Sequence, residues 1–114
     1  MAVSILKQGD YLIASVQSAL TDTEVIELRD SLLASVAKHR SRGVIIDVAA
    51  LDIIDSFAAR SLATVARTNR LRGAKTVIVG IQPEVAVAMS QFGLQLDAAS
   101  TALDLEAGIQ LLTA

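Results

Sequence analysis

Asp47, Asp52, Asp55 and Ser56 stand close together in one short stretch, and their types carry most of the chemistry this chain could offer. Carboxylates at such spacing could hold a cation or, as in a receiver domain, accept a phosphoryl group on one aspartate. A receiver also needs an acidic cluster at the end of its first strand and a lysine after its last strands. Leu6-Lys7 and Val16-Gln17 offer no such cluster, and Lys75 precedes its strand. A serine beside these carboxylates, ahead of a helical pattern, has two compatible readings. Asp55 or Ser56 can be the helix N-cap, accepting from an orphan amide. Ser56 can also be a phosphoacceptor: a phosphoserine carries up to about two negative charges, which the free amides and dipole of a helix start favour. Asp52 and Asp55 would make such a corner strongly acidic.

Other signatures fail. There is no G-x-G-x-x-G or Walker A run, and no G-x-S-x-G elbow. Ser35 and Lys38 match S-x-x-K on a helix without its companion motifs. His39, the one histidine, sits in a basic helix end and reads as a solvated capping residue. The expectation is a non-enzyme with no cofactor and no metal site.

The elements that position the corner follow from periodicity. Val3 to Leu6 and Tyr11 to Val16 are apolar runs joined through Gly9-Asp10, which predicts an antiparallel hairpin. Thr21 and Glu24 fit a capping box, followed by a helix with Val25, Leu28, Leu32 and Val36 on one face and a basic end before Gly43. Val44 to Val48 is a β-branched run interrupted by Asp47, the pattern of a buried central strand. A second helix starts at Ser56 and buries Leu62, Val65, Ala66 and Asn69. Arg60, Thr64 and Arg67 lie on another stripe, and Phe57 in the first turn is partly exposed. Lys75 to Val79 is a further strand. Pro83 and Glu84 open a third helix, with Val85, Val87, Ala88, Met89 and Phe92 as its buried side and Gly93 as its cap. Leu94 to Thr101 holds one short strand, and Asp104 to Leu112 a last helix with Leu105, Ile109 and Leu112 inward. The fold class is therefore α/β: a mixed, mostly parallel sheet of about four or five strands, an opening β-hairpin and about four helices.

Composition sets the bounds. At 114 residues the chain is one domain, 1–114, and 53% hydrophobic residues supply a core. Aromatics at 3% make that core aliphatic and give no stacking platform for single-stranded nucleic acid. A net charge of -2 without a basic run gives no attraction to nucleic acid or an anionic membrane. There is no Cys, the N-terminal stretch is interrupted by Lys7 to Asp10, and no apolar run approaches the roughly 18 residues of a membrane span. These features predict a cytoplasmic protein.

The stretch from Val48 to Phe57 resembles the signature corner of STAS domains, the anti-sigma-factor antagonist family, and the element order agrees over essentially the whole chain. The segments from Ile54 to Ala58, Gly80 to Val87 and Thr101 to Gly108 resemble the RsbS type, the small STAS proteins of the bacterial stressosome. Many antagonists have Gly directly after the phosphorylated residue; Phe57 stands there in this chain, as expected for the RsbS type. The resemblance implies a scaffold and phospho-switch that sequesters an RsbT-like serine kinase and releases it once Ser56 is phosphorylated, within a stress-signalling or sigma-factor pathway. It implies RsbR-type STAS paralogues as co-assembling partners, a homodimer and a large hetero-oligomer, and a PP2C-type phosphatase that resets Ser56. The kinase-facing surface is expected at Asp52, Asp55, Phe57, Arg60, Gln82 and Glu84. Alternatives are a stand-alone anti-sigma-factor antagonist, a STAS accessory subunit of a transporter, and a small enzyme using the aspartates.

Overall fold

A computed structural model describes residues 3–92 and 98–113. Nine elements follow one another: β1 (Val3–Gln8), β2 (Tyr11–Val16), α1 (Asp22–His39), β3 (Gly43–Asp47), α2 (Ser56–Leu71), β4 (Lys75–Val79), α3 (Pro83–Gln91), β5 (Ala99–Ala102) and α4 (Leu105–Thr113). They form one five-stranded sheet in the order β1-β2-β3-β4-β5. β1 and β2 are antiparallel and every other pair is parallel, as the pattern predicts. Gly9 takes φ 60° in the two-residue turn between Gln8 and Tyr11, a conformation that costs glycine no Cβ clash.

Strand alternation divides the core. Leu12, Ala14 and Val16 of β2, Val44 and Ile46 of β3, and Ile78 of β4 point to one face, where they meet Leu28, Leu32 and Val36 of α1, Leu62 and Val65 of α2, and Val85 and Met89 of α3. Ile13, Ile45, Val77 and Val79 point to the other face and pack with Leu112 of α4. β3 is thus covered on both sides, which explains why its apolar run is nearly continuous. Gly108 lets α4 lie close on the sheet: a Cβ there would stand 2.6 Å from a Val79 methyl.

Helix ends follow local chemistry. Thr21 Oγ1 accepts from the Glu24 amide at 3.2 Å, and Glu24 Oε1 accepts from the Thr21 amide at 3.0 Å, which completes the expected capping box. The C-terminal end of α1 differs from expectation. Arg40, not Gly43, takes the left-handed cap position at φ 49°, and Gly43 already belongs to β3. At position 43 a Cβ would lie 2.6 Å from Leu112 Cδ2, so a larger residue there requires that side chain to shift.

Three side chains expected inward are exposed: Val87, Phe92 and Leu105. On α3 the buried pair is Val85 and Met89, one turn apart, which places Val87 on the opposite side and Phe92 past the helix end. On α4 the inward positions are Gly108 and Leu112, and Leu105 lies at the exposed first turn. The fifth strand falls at Ala99–Ala102; Gly93 and the preceding part of that ambiguous stretch lie outside the described residues.

Candidate functional site

The corner between β3 and α2 is built by alternating anchors and exposed positions. Val48, Leu51 and Ile54 are buried, whereas Asp52 and Ile53 between them are exposed. Backbone bonds fix the path. The Val48 amide donates to the Val79 carbonyl at 3.0 Å, and the Leu51 amide donates to the Val48 carbonyl at 2.9 Å. Asp47 Oδ1 accepts from the Ala49 amide at 2.9 Å, so this carboxylate turns the chain as it leaves the strand.

Asp55 is the N-cap of α2. Its backbone is extended, and its Oδ1 accepts from the Ala58 amide at 2.8 Å. Ser56 is therefore the first helical residue. It is half-buried, and its hydroxyl makes no hydrogen bond among the described residues. The two sequence readings of this pair separate here: the cap is Asp55, and the Ser56 hydroxyl is left without a structural duty. The amides of Ser56 and Phe57 belong to the donors that every helix start leaves without intrahelical partners.

A second loop supports the first. Gln82, the N-cap position of α3, makes no capping bond with its side chain; its Nε2 instead donates to the Ala49 carbonyl at 2.7 Å. Gly80 lies against the same residue, and a Cβ on it would stand 2.8 Å from Ala49 Cβ. Gly80 also has φ 77°, so two requirements coincide there.

Of the residues expected to face a partner, Asp52, Asp55, Phe57 and Arg60 lie on the corner and the first turns of α2, and Gln82 is bonded into the corner. Asp52, Asp55 and Arg60 are exposed, and Phe57 is half-buried. Glu84 is exposed in the first turn of α3. Arg60 follows Ser56 by one helical turn, so both lie on one stripe of α2. Sequence reasoning missed Ala49, the shared contact of Gln82 and Gly80, and Ile53, 65% exposed between the buried anchors. Ala49 carried no signal, because its role is a carbonyl. Ile53 could have been found as the apolar residue out of step with Leu51 and Ile54.

Among the described residues no three His, Asp or Glu side chains converge as a metal site. None of the described helices is long and apolar enough to cross a membrane.

Comparison with known proteins places the fold. The STAS domain family matches residues 2–106. RsbRA of Bacillus subtilis (strain 168), an RsbT co-antagonist protein, is 36% identical over 90 residues; the match covers 78% of this chain and 33% of RsbRA, so the chain spans about a third of that relative. The solved structure of a serine-to-glutamate variant of RsbS from Moorella thermoacetica is 34% identical, with a TM-score of 0.88 over 99% of this chain and 96% of that one. A chain from the structure of the stressosome, a signal integration and transduction hub, is 33% identical with a TM-score of 0.79, over 96% of both chains. With the hairpin, the parallel crossovers and the Asp55–Ser56 corner all in place, this chain belongs to the STAS family of anti-sigma-factor antagonist domains and stands close to RsbS.

Proposed function

We propose that this chain is a scaffold and phospho-switch of a stressosome-type assembly. It joins RsbR-type STAS proteins, holds an RsbT-like serine kinase while Ser56 is unmodified, and releases it when Ser56 is phosphorylated. The observation that carries this reading is the division of labour at the start of α2. Asp55 caps the helix, and Ser56 beside it presents a hydroxyl with no bond of its own. Relatedness to RsbRA, an RsbT co-antagonist protein, and to RsbS supports an RsbT-like partner and RsbR-type co-assembly.

The chemistry is transfer from the kinase's ATP. The Ser56 Oγ–phosphorus bond forms, the bond between the γ-phosphorus and the bridging oxygen breaks, and ADP leaves with the hydroxyl proton taken by a base on the kinase. The product has about one and a half to two further negative charges at the corner. The helix start tolerates them, because its amides and dipole favour an anion. A partner that docks an acidic or apolar surface on the corner does not, since like charge across an interface, or a charge buried against an apolar face, is costly. A PP2C-type phosphatase hydrolyses the ester and restores the holding state. The chain's own residues bind and present; the catalytic groups belong to the two enzymes, and the signalling takes place in the cytoplasm.

Intact-mass spectrometry after incubation with the switch kinase, the RsbR-type partner and ATP tests the reading. One phosphate on the native chain and none on Ser56→Ala is the expected result. An active kinase that leaves the native chain unmodified would make Ser56 an ordinary first-turn residue and sink the switch.

A further inference from the structure

Behind the corner, α1 and α2 do not close completely on each other. A cavity of about 150 Å³ lies between Val25 and Leu28 of α1, Leu62 and Val65 of α2, and Leu51 and Ile54 of the corner. Its wall is aliphatic except for three side chains, Arg29, Asp55 and Ser61.

Each of the three constrains what could enter. Arg29 is engaged through its Nε with Asp30 Oδ1 at 3.1 Å, and Asp55 through Oδ1 with the Ala58 amide at 2.8 Å. The two bring opposite charges to the wall, which offset each other, so the lining gives no net attraction to a ligand of either sign. Ser61 differs. It is 8% exposed and makes no hydrogen bond among the described residues. The one described side-chain oxygen that is sealed off without a partner belongs to Asn69, so the Ser61 hydroxyl is open to the cavity it lines. A hydroxyl offers one donor and two acceptor positions, and one that is reachable from the cavity can turn them to a ligand in place of water.

We propose that this cavity is a binding site for a small neutral molecule with an apolar ring or branched body and one hydrogen-bonding group, paired with Ser61. The space is partly open to solvent, and its volume of about 150 Å³ equals that of an enclosed apolar cavity that holds benzene. A single convergent polar group in an apolar wall is the usual arrangement for orienting such a ligand. The site is independent of the phospho-switch: it stands on the cavity and on Ser61, whether or not Ser56 is ever modified. It shares Ile54 and Asp55 with the corner, so an occupant would pack against the segment that carries Ser56.

Titration of the ¹⁵N-labelled full chain with phenol, and separately with benzene, tests the site by amide chemical shifts. Saturable shifts confined to residues around the cavity are expected for both probes. Ser61→Ala should weaken phenol roughly three- to tenfold, the range of one net hydrogen bond, and leave benzene within about twofold. Ala58→Leu, which extends a cavity-lining side chain into the space, should abolish both. No saturable shifts in the native chain, shifts centred elsewhere, or phenol binding indifferent to Ser61→Ala would each overturn the proposal. The native titration and the Ser61 variant decide the matter even if Ala58→Leu fails to fold.

Discussion

Gln82 Nε2 donates to the Ala49 carbonyl at 2.7 Å, across 33 positions of sequence. The bond ties the loop in front of α3 to the loop in front of α2, so the two segments at this end of the sheet are held as one surface. Replacing Gln82 by Leu keeps the side-chain bulk and deletes the donor. We expect a loss of roughly 0.5–1.5 kcal/mol in urea unfolding. The Leu51 amide, bonded to Val48 in the tethered loop, should exchange faster in deuterium oxide. Unchanged exchange there would mean that the loop is held by its buried anchors alone.

Gly80 faces the same alanine. Ala at position 80 would suffer both the φ of 77° and a contact at 2.8 Å with Ala49 Cβ. A cost of roughly 1–3 kcal/mol is expected in thermal or urea unfolding. Ala49→Gly in the same chain should return the share due to that Cβ, leaving the backbone strain and the close approach to the Ala49 Cα at 3.1 Å and amide nitrogen at 3.2 Å. The two substitutions should therefore be non-additive in a double-mutant cycle. Strict additivity would show that the loops do not touch in solution.

Much of this arrangement was legible in the chain because it is local. The capping box needs only Thr21 and Glu24, the face of α1 only a helical period, and the burial of β3 only its β-branched run. The corner was legible as a strand-to-helix transition rich in aspartate. What could not be read depends on partners distant in sequence. Gly43 looks like a helix cap until Leu112 is seen against it, and Val87 looks like core until α3 is docked through Val85 and Met89. α3 is apolar on several sides, so its pattern alone does not choose a face. The choice between Asp55 and Ser56 as cap likewise needed the geometry, since either side chain can accept from an amide.

That choice gives a direct test. Asp55→Ala removes the acceptor for the Ala58 amide and should cost about 1 kcal/mol of unfolding free energy. Ser56→Ala should stay within about 0.5 kcal/mol, as expected for a side chain with no partner to lose. Asp55→Asn should recover most of the loss, because an amide oxygen caps nearly as well. The reverse order, with Ser56→Ala the costly change, would return the serine to a capping role and remove the main support for its regulatory one.

The surface proposed to meet a kinase can be tested by charge reversal. Arg60 lies one turn beyond Ser56 on α2, and Glu84 lies in the first turn of α3; both are exposed, and neither forms an ion pair among the described residues. They carry opposite signs on the two helices joined through the Gln82–Ala49 contact, so a partner seated on this end would meet both. Arg60→Glu and Glu84→Lys should each weaken binding of an RsbT-like kinase by on the order of tenfold, with a shallower salt dependence than the native pair. Glu84→Lys also opposes the α3 dipole and should cost roughly 0.3–1 kcal/mol of stability. Glu84→Gln, which avoids placing a cation there, separates a docking effect from a folding one. If only the Arg60 variant loses affinity, the kinase sits on α2 and the corner alone. If neither does, with both variants folded, the kinase-facing surface lies elsewhere on the domain, and a phosphate on Ser56 would have to act on the kinase from a distance.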